Sequence, residues 1–258
     1  MAAPWRTAWI TGASTGIGRA LTVALAARGV EVAASARSAD KLAELAQAHP
    51  GISPFPLDVL DAAAMAEAMR GISSRLGPID LAVLNAGTWE PMSSRNFSAA
   101  KAARSMAVNY QGIANGVEAL LPAMLERGAG HIALMASVAG YRGLSPLTAA
   151  YAPAKAAVIN LAECLRNDLR AQGVTVSVIN PGYVATPMTS TNKFPMPYLI
   201  SAEDAARRIV RGLEKRKFEI AFPWQLVAMM KLGRLLPTRA FFWYARTFLA
   251  PPRRKQYP

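Results

Sequence analysis

Cysteine is almost absent: the 258 residues include one, Cys164. That excludes an internal disulfide and fits a reducing compartment, so a cytoplasmic protein is expected. Cys164 falls within an apolar helical pattern and reads as a small core residue rather than a nucleophile. Long apolar runs are also missing: none reaches the roughly 18 residues that a transmembrane helix requires. Repeats, low-complexity blocks and Ser/Gly linkers are absent, which points to one folded domain. A strand-like run, Thr7–Ile10, begins so early that no signal peptide is expected. Acid is the last scarcity. Residues 1–200 hold 16 Lys+Arg against 12 Asp+Glu, but residues 201–258 hold 13 against 4, and no acid follows Glu219.

What is present is a regular alternation. Short β-rich runs at Thr7–Thr11, Val30–Ala36, Ser53–Leu57, Asp80–Leu84, His131–Ala136, Thr175–Ile179 and Phe218–Ala221 are separated by Ala/Leu helical patterns. The helices are expected near 16–28, 38–48, 61–76, 98–126, 150–172 and 202–216. This order predicts an α/β fold with a parallel sheet of about seven strands covered by helices on both faces. In such a sheet ligands bind beyond the carboxyl ends of the strands.

At the first of those ends stands TGASTGIG, Thr11–Gly18. Glycines at 12, 16 and 18 let the chain turn tightly and let a ligand approach the backbone. The helix that opens there aims free N–H groups and its positive dipole end at the same space, which suits a pyrophosphate. The second strand ends Ala34-Ser35-Ala36-Arg37-Ser38. An NAD site places an acid there for the ribose 2′-hydroxyl. Here Arg37 offers a cation to a 2′-phosphate instead, so NADP(H) is favoured over NAD(H).

The stretch YAPAK sets Tyr151 and Lys155 four residues apart, on one face of a helix. A free phenol titrates near pH ~10, and a neighbouring cation lowers that by roughly 1–3 units. The spacing therefore predicts a phenol made acidic enough to exchange protons. Together these pieces resemble the short-chain dehydrogenase/reductase family, over about Ala8–Ala221. TGASTGIG is similar to its glycine motif and Asn85-Ala86-Gly87 to its NAG turn. Asn109 in VNYQG, Ser137 in ALMASVAG, Tyr151 and Lys155 match its catalytic tetrad, and Pro181, Gly182 and Thr186 in PGYVATPM match a later turn.

The resemblance implies a doubly wound Rossmann-type sheet and nicotinamide chemistry. It makes Tyr151 the general acid or base and Lys155 its cationic neighbour. Ser137 holds the substrate oxygen, and Asn109 relays protons to Lys155 through water. The cofactor residues it implies are Gly12, Ser14, Thr15, Gly16, Ile17, Gly18, Arg37, Asp58, Val59, Asn85, Ala86, Gly87, Tyr151, Lys155, Pro181, Gly182, Val184 and Thr186, with Asp58 on the adenine side. No metal is expected. Departures from the family pattern are a Ser137–Tyr151 interval one residue longer than usual, with Pro146 in the extra turn, and Pro153-Ala154 before the lysine.

In relatives the segment after Thr186 is a substrate lid. Here Pro187–Ile200 carries Met188, Phe194, Met196 and Tyr198, with Lys193 as its only charge. Such side chains suit an adaptable apolar pocket, and Ser137, Tyr151, Met188 and Phe194 are the expected substrate contacts. Residues 1–222 then form the catalytic domain and 223–258 an apolar, basic extension with helices at Trp224–Leu236 and Thr238–Leu249. That extension reads as a peripheral membrane-surface contact, helped by Arg253–Lys255, or as packing over the cleft or a partner subunit. Nucleic acid is not expected, because the basic residues are interleaved with bulky apolar ones. The reading is NADPH-dependent reduction of a hydrophobic carbonyl to a secondary alcohol in a homodimer or homotetramer. The alternatives are oxidation of an alcohol at the same site, or a non-catalytic dinucleotide-binding module.

Overall fold

The computed structural model describes residues 3–143, 147–192, 194–245 and 247. The expectations placed on Pro146, Lys193, Leu249 and Arg253–Lys255 lie outside the described residues. Seven parallel strands form the main sheet: β1 (Thr7–Thr11), β2 (Glu31–Ser35), β3 (Ile52–Pro54), β4 (Leu81–Leu84), β5 (Gly130–Met135), β6 (Val174–Pro181) and, after a short side ribbon of β7 (Val184–Ala185) and β8 (Ile200–Ser201), β9 (Glu219–Phe222). Their order is β3-β2-β1-β4-β5-β6-β9. All of the strand runs read from the sequence are therefore strands of one sheet, which is the doubly wound fold expected. β1 lies between β2 and β4, so the chain reverses its direction of winding there and leaves a crevice beyond the ends of β1 and β4.

The strands are apolar because both faces are covered: all five residues of β1 are buried. Helices α1 (Gly16–Ala26), α2 (Ala39–Ala48) and α7 (Ala202–Glu214) cover one face, through Leu21, Leu25, Leu42, Leu45, Ile209 and Leu213. Helices α3 (Ala62–Leu76), α5 (Gly112–Glu126) and α6 (Tyr151–Leu169) cover the other, through Met65, Ile72, Ile113, Leu120, Val158 and Ala162. Burying each such aliphatic side chain contributes roughly 1.5–3 kcal/mol. Helix starts are capped as the sequence invites: Asp61 accepts from the Ala64 N–H and Ser201 from the Asp204 N–H.

Two local readings are corrected. The expected helix over 98–126 is α4 (Ala99–Met106) and α5 joined by a π-helical turn at Ala107–Gln111. Cys164 is exposed rather than a core residue. The inward stripe of α6 runs through Val158, Ile159, Ala162 and Leu169, and Cys164 falls off it. Beyond β9 come α8 (Trp224–Leu235) and α9 (Thr238–Tyr244). Leu226 and Met230 of α8 join the same core as α5 and α6. Among the described residues no helix is long and apolar enough to cross a membrane.

One buried group sets an acid limit on the fold. His131 in β5 is 3% exposed, and its Nε2 shares a 2.8 Å hydrogen bond with Ser177 Oγ. Burial first, then Arg216 and Arg166, push its pKa down from 6.5 to about 4. The folded state thus binds the proton less readily than the unfolded chain. Its contribution is complete above pH 6.5 and declines as pH falls towards about 4. The full loss is about 3 kcal/mol. Melting temperature measured from pH 7 to 4 should fall more steeply for the wild type than for His131→Gln, and parallel curves would contradict this.

Candidate active site

The turn after β1 is bolted to the turn after β4. Thr11 Oγ1 accepts from the Asn85 N–H (2.9 Å) and the Ala86 N–H (3.2 Å), while Asn85 Nδ2 donates to the Thr11 carbonyl at 2.9 Å. Gly12 (φ +68°) and Gly18 leave no room for more: a Cβ on Gly18 would lie 2.2 Å from the Gly12 carbonyl oxygen. The N-cap of α1, Thr15, makes no side-chain cap, and the first turn carries no acid. Free N–H groups and an uncompensated dipole end therefore face the crevice. A glycine cradle before an uncapped helix fits a dinucleotide pyrophosphate.

Around this turn lies a cleft of about 610 Å³. It is lined by Gly12, Ser14, Thr15, Gly16, Ile17 and Gly18, by Arg37, Asp58 and Val59, by Asn85, Ala86 and Gly87, and by Pro181, Gly182, Val184 and Thr186. The structure thus gathers all the residues assigned to the cofactor. Arg37 is exposed at the end of β2, flanked by Ala36 and Ser38 in the lining. Ser35, the other residue at this end, is buried, and its Oγ accepts from Trp9 Nε1 at 2.9 Å.

Asn109, Ser137, Tyr151 and Lys155 line the same cleft from three places: the π-helical turn, the turn after β5, and α6. The π-helical turn carries Asn109, whose Oδ1 accepts from the Thr88 N–H (3.1 Å) and whose Nδ2 donates to the Thr88 carbonyl (3.0 Å) and Ser105 Oγ (3.2 Å). Such single-turn π insertions mark functional sites in many helices. Ser137 follows β5; its Oγ caps a short 3₁₀ turn by accepting from the Ala139 N–H and donates to the Pro181 carbonyl at 3.3 Å. That turn meets α6 closely: a Cβ on Gly140 would lie 2.7 Å from the Lys155 carbonyl carbon. The close approach draws the first turn of α6, with Tyr151 and Lys155, up to Ser137.

Lys155 is 2% exposed, and its Nζ donates to the Met135 carbonyl at 2.7 Å and stands 5.6 Å from the Tyr151 ring centroid. Burial lowers its pKa from 10.5 to about 7. Burial likewise pushes the Tyr151 phenol up from 10 to about 12, against the hydrogen bond with Ser137 that lowers it. In the protein alone burial therefore shifts the phenol upward, opposite to the acidification that the spacing predicts. The spacing supplies proximity, but burial disfavours the charged form of both groups, raising the phenol and lowering the ammonium. The result is a neutral phenol able to donate a proton.

Of the substrate contacts expected in the lid, Met188 lines the cleft with Pro187 and Thr189. Phe194 does not; its ring stands edge-on to Tyr183 at 6.1 Å. Sequence reasoning missed Trp89, whose indole meets the Tyr151 ring edge-on at 5.3 Å. It also missed Glu90 and Arg104, a lining pair 3.9 Å apart. An aromatic residue two positions after the NAG turn was the available signal for Trp89.

Comparison with known proteins places these observations in a class. Residues 6–195 match the family model for short chain dehydrogenases. An uncharacterized oxidoreductase of Myxococcus xanthus is 38% identical over 92% of this chain and 95% of its own. An acetoacetyl-CoA reductase of Rhizobium meliloti is 33% identical over 71% of this chain and 76% of its own. A short-chain dehydrogenase/reductase of Burkholderia phymatum, solved in complex with NAD, superimposes with a TM-score of 0.81 at 26% identity, covering 89% of this chain and 92% of that one. The chain belongs to the short-chain dehydrogenase family. It is an oxidoreductase of small molecules that uses a nicotinamide dinucleotide.

Proposed function

We propose that the protein is an NADPH-dependent reductase that converts a hydrophobic ketone, such as a lipid keto group, to a secondary alcohol, working as a homo-oligomer close to a membrane surface. The observation that carries this reading is geometric: Tyr151 lines the cleft with Ser137 and Lys155, whose Nζ stands 5.6 Å from its ring centroid. A reductase needs a proton donor at the nascent alkoxide, and a phenol held protonated is one.

In this reading Gly12 to Gly18 hold the pyrophosphate, Arg37 the 2′-phosphate, and Asp58 and Val59 the adenine side. Asn85, Ala86, Gly87, Pro181, Gly182, Val184 and Thr186 enclose the remainder, with Tyr151 and Lys155 at its reactive end. The bound cofactor supplies the hydride. Ser137 Oγ holds the carbonyl oxygen in place, and Tyr151 donates its proton to that oxygen. Lys155 stabilises the phenolate left behind, and Asn109 relays the replacement proton towards it. Met188 contributes apolar wall, and the kinship with an acetoacetyl-CoA reductase supports a keto group as substrate. Oxidation of an alcohol is the second reading, favoured by the NAD in the Burkholderia relative. The two separate in one assay. The expected result is steady loss of NADPH absorbance with medium-chain ketones, faster than NADP+ reduction by the matching alcohols at neutral pH. The reverse ratio would favour oxidation.

A further inference from the structure

We propose that the outer face of α8 and α9 docks on an anionic lipid surface. Leu226, Met230 and Gly233 turn one side of α8 into the core. On the other side Trp224, Leu232 and Leu235 are 72%, 64% and 81% exposed, at helical spacings that keep them within one stripe. In α9 Phe241 is buried while Phe242 and Trp243 are 56% and 59% exposed. Five large apolar side chains on two consecutive helices exceed the scattered exposure usual for a folded surface. Exposed Arg234 and Arg239 interleave with them along the sequence, and the sequence after Glu219 contains seven Lys/Arg and no acid. Aromatic and aliphatic side chains with interleaved cations are the pattern of a helix lying in the headgroup layer.

Charge selects this occupant. A second copy packed on the same face by two-fold symmetry would bring arginines against arginines, with no acid of this segment to answer them. A headgroup layer rich in phosphate answers every one. The face is also fastened to the cleft. Arg142, in the loop between Ser137 and Tyr151, donates through Nη1 to the carbonyls of Gly233 (2.8 Å), Arg234 (3.2 Å) and Leu236 (2.9 Å), and lies 3.8 Å over the Phe241 ring. Its neighbour Tyr141 donates to Glu219 Oε1 at 2.5 Å, and Lys231 of α8 pairs with the same carboxylate. Leu226 packs so closely on Gly182 of the cleft that a Cβ there would lie 2.6 Å from its Cδ2. Docking therefore holds the cleft beside the surface, where an apolar ketone partitions. That consequence rests on the proposed substrate class, whereas the docking itself does not.

The test is co-sedimentation of the full chain with vesicles of phosphatidylcholine alone and of equimolar phosphatidylcholine and phosphatidylglycerol. Binding is expected to the mixed vesicles and to be roughly 10-fold weaker for Arg234→Glu/Arg239→Glu and to fall with added salt. Trp224→Ser/Leu235→Ser should weaken it similarly, while cofactor affinity stays that of the wild type in both variants, showing an intact fold. A wild-type chain that remains in the supernatant with both vesicles overturns the proposal, whether or not it reduces ketones. So does an apolar-face variant that changes oligomeric state and leaves pelleting unaltered. Wild-type pelleting without ketone reduction would instead remove the proposed activity and leave the docking face standing.

Discussion

Replacing Tyr151 by Phe is expected to lower turnover by about 10³-fold or more while leaving dinucleotide affinity within about twofold. General acid–base catalysis by one positioned group contributes roughly 10²–10⁴-fold. The substitution removes the hydroxyl, and with it both the proton and the hydrogen bond to Ser137. It keeps the ring, which packs edge-on to Trp89 and lies beside Lys155. The fold and the glycine cradle should therefore survive, and the loss should appear in kcat rather than in melting temperature. Turnover and cofactor titration on the same preparation check this. A variant that keeps wild-type turnover removes Tyr151 from the mechanism.

The second large effect concerns the cofactor. Arg37→Ala should weaken NADPH binding roughly 10- to 100-fold and leave NADH nearly unaffected. A hydrogen-bonded guanidinium–phosphate pair is worth about 1.5–3 kcal/mol, and about 1.4 kcal/mol is a factor of ten. Arg37 lines the cleft between Ala36 and Ser38, neither of which carries charge. With the guanidinium gone, that end of β2 offers nothing to distinguish a 2′-phosphate from a hydroxyl. The ratio of kcat/KM for the two reduced cofactors, wild type against variant, reports the change. An unchanged ratio would place the 2′-phosphate elsewhere.

Residues whose role depends on local context were legible in the sequence. The glycine turn, the NAG turn, and the Tyr151–Lys155 pair each sit within one strand–turn–helix step, and strand–helix alternation alone brings those steps to one end of the sheet. Contacts made across the chain were not legible. Trp89 reaches Tyr151 because the backbone at Met92 bonds to Leu147 and Ala149, a pairing of distant loops that no periodicity announces. Arg142 carries no local signal, because the carbonyls that accept its hydrogen bonds come from the distant end of α8. The π-helical turn was hidden because helical patterns flank it on both sides, in α4 and α5, so the segment reads as one helix. Solvation was hidden too: spacing puts Lys155 near the phenol, but only the packed structure shows that burial raises one pKa and lowers the other.

The reading of this protein as an NADPH-dependent reductase is tested most directly by equilibrium binding of NADPH and NADH, side by side, to the wild type and to Arg37→Ala. The wild type is expected to prefer NADPH by at least roughly 10-fold, and the preference is expected to disappear in the variant. Equal binding of the two cofactors by the wild type, or tighter binding of NADH, would contradict it and favour an alcohol-oxidising enzyme.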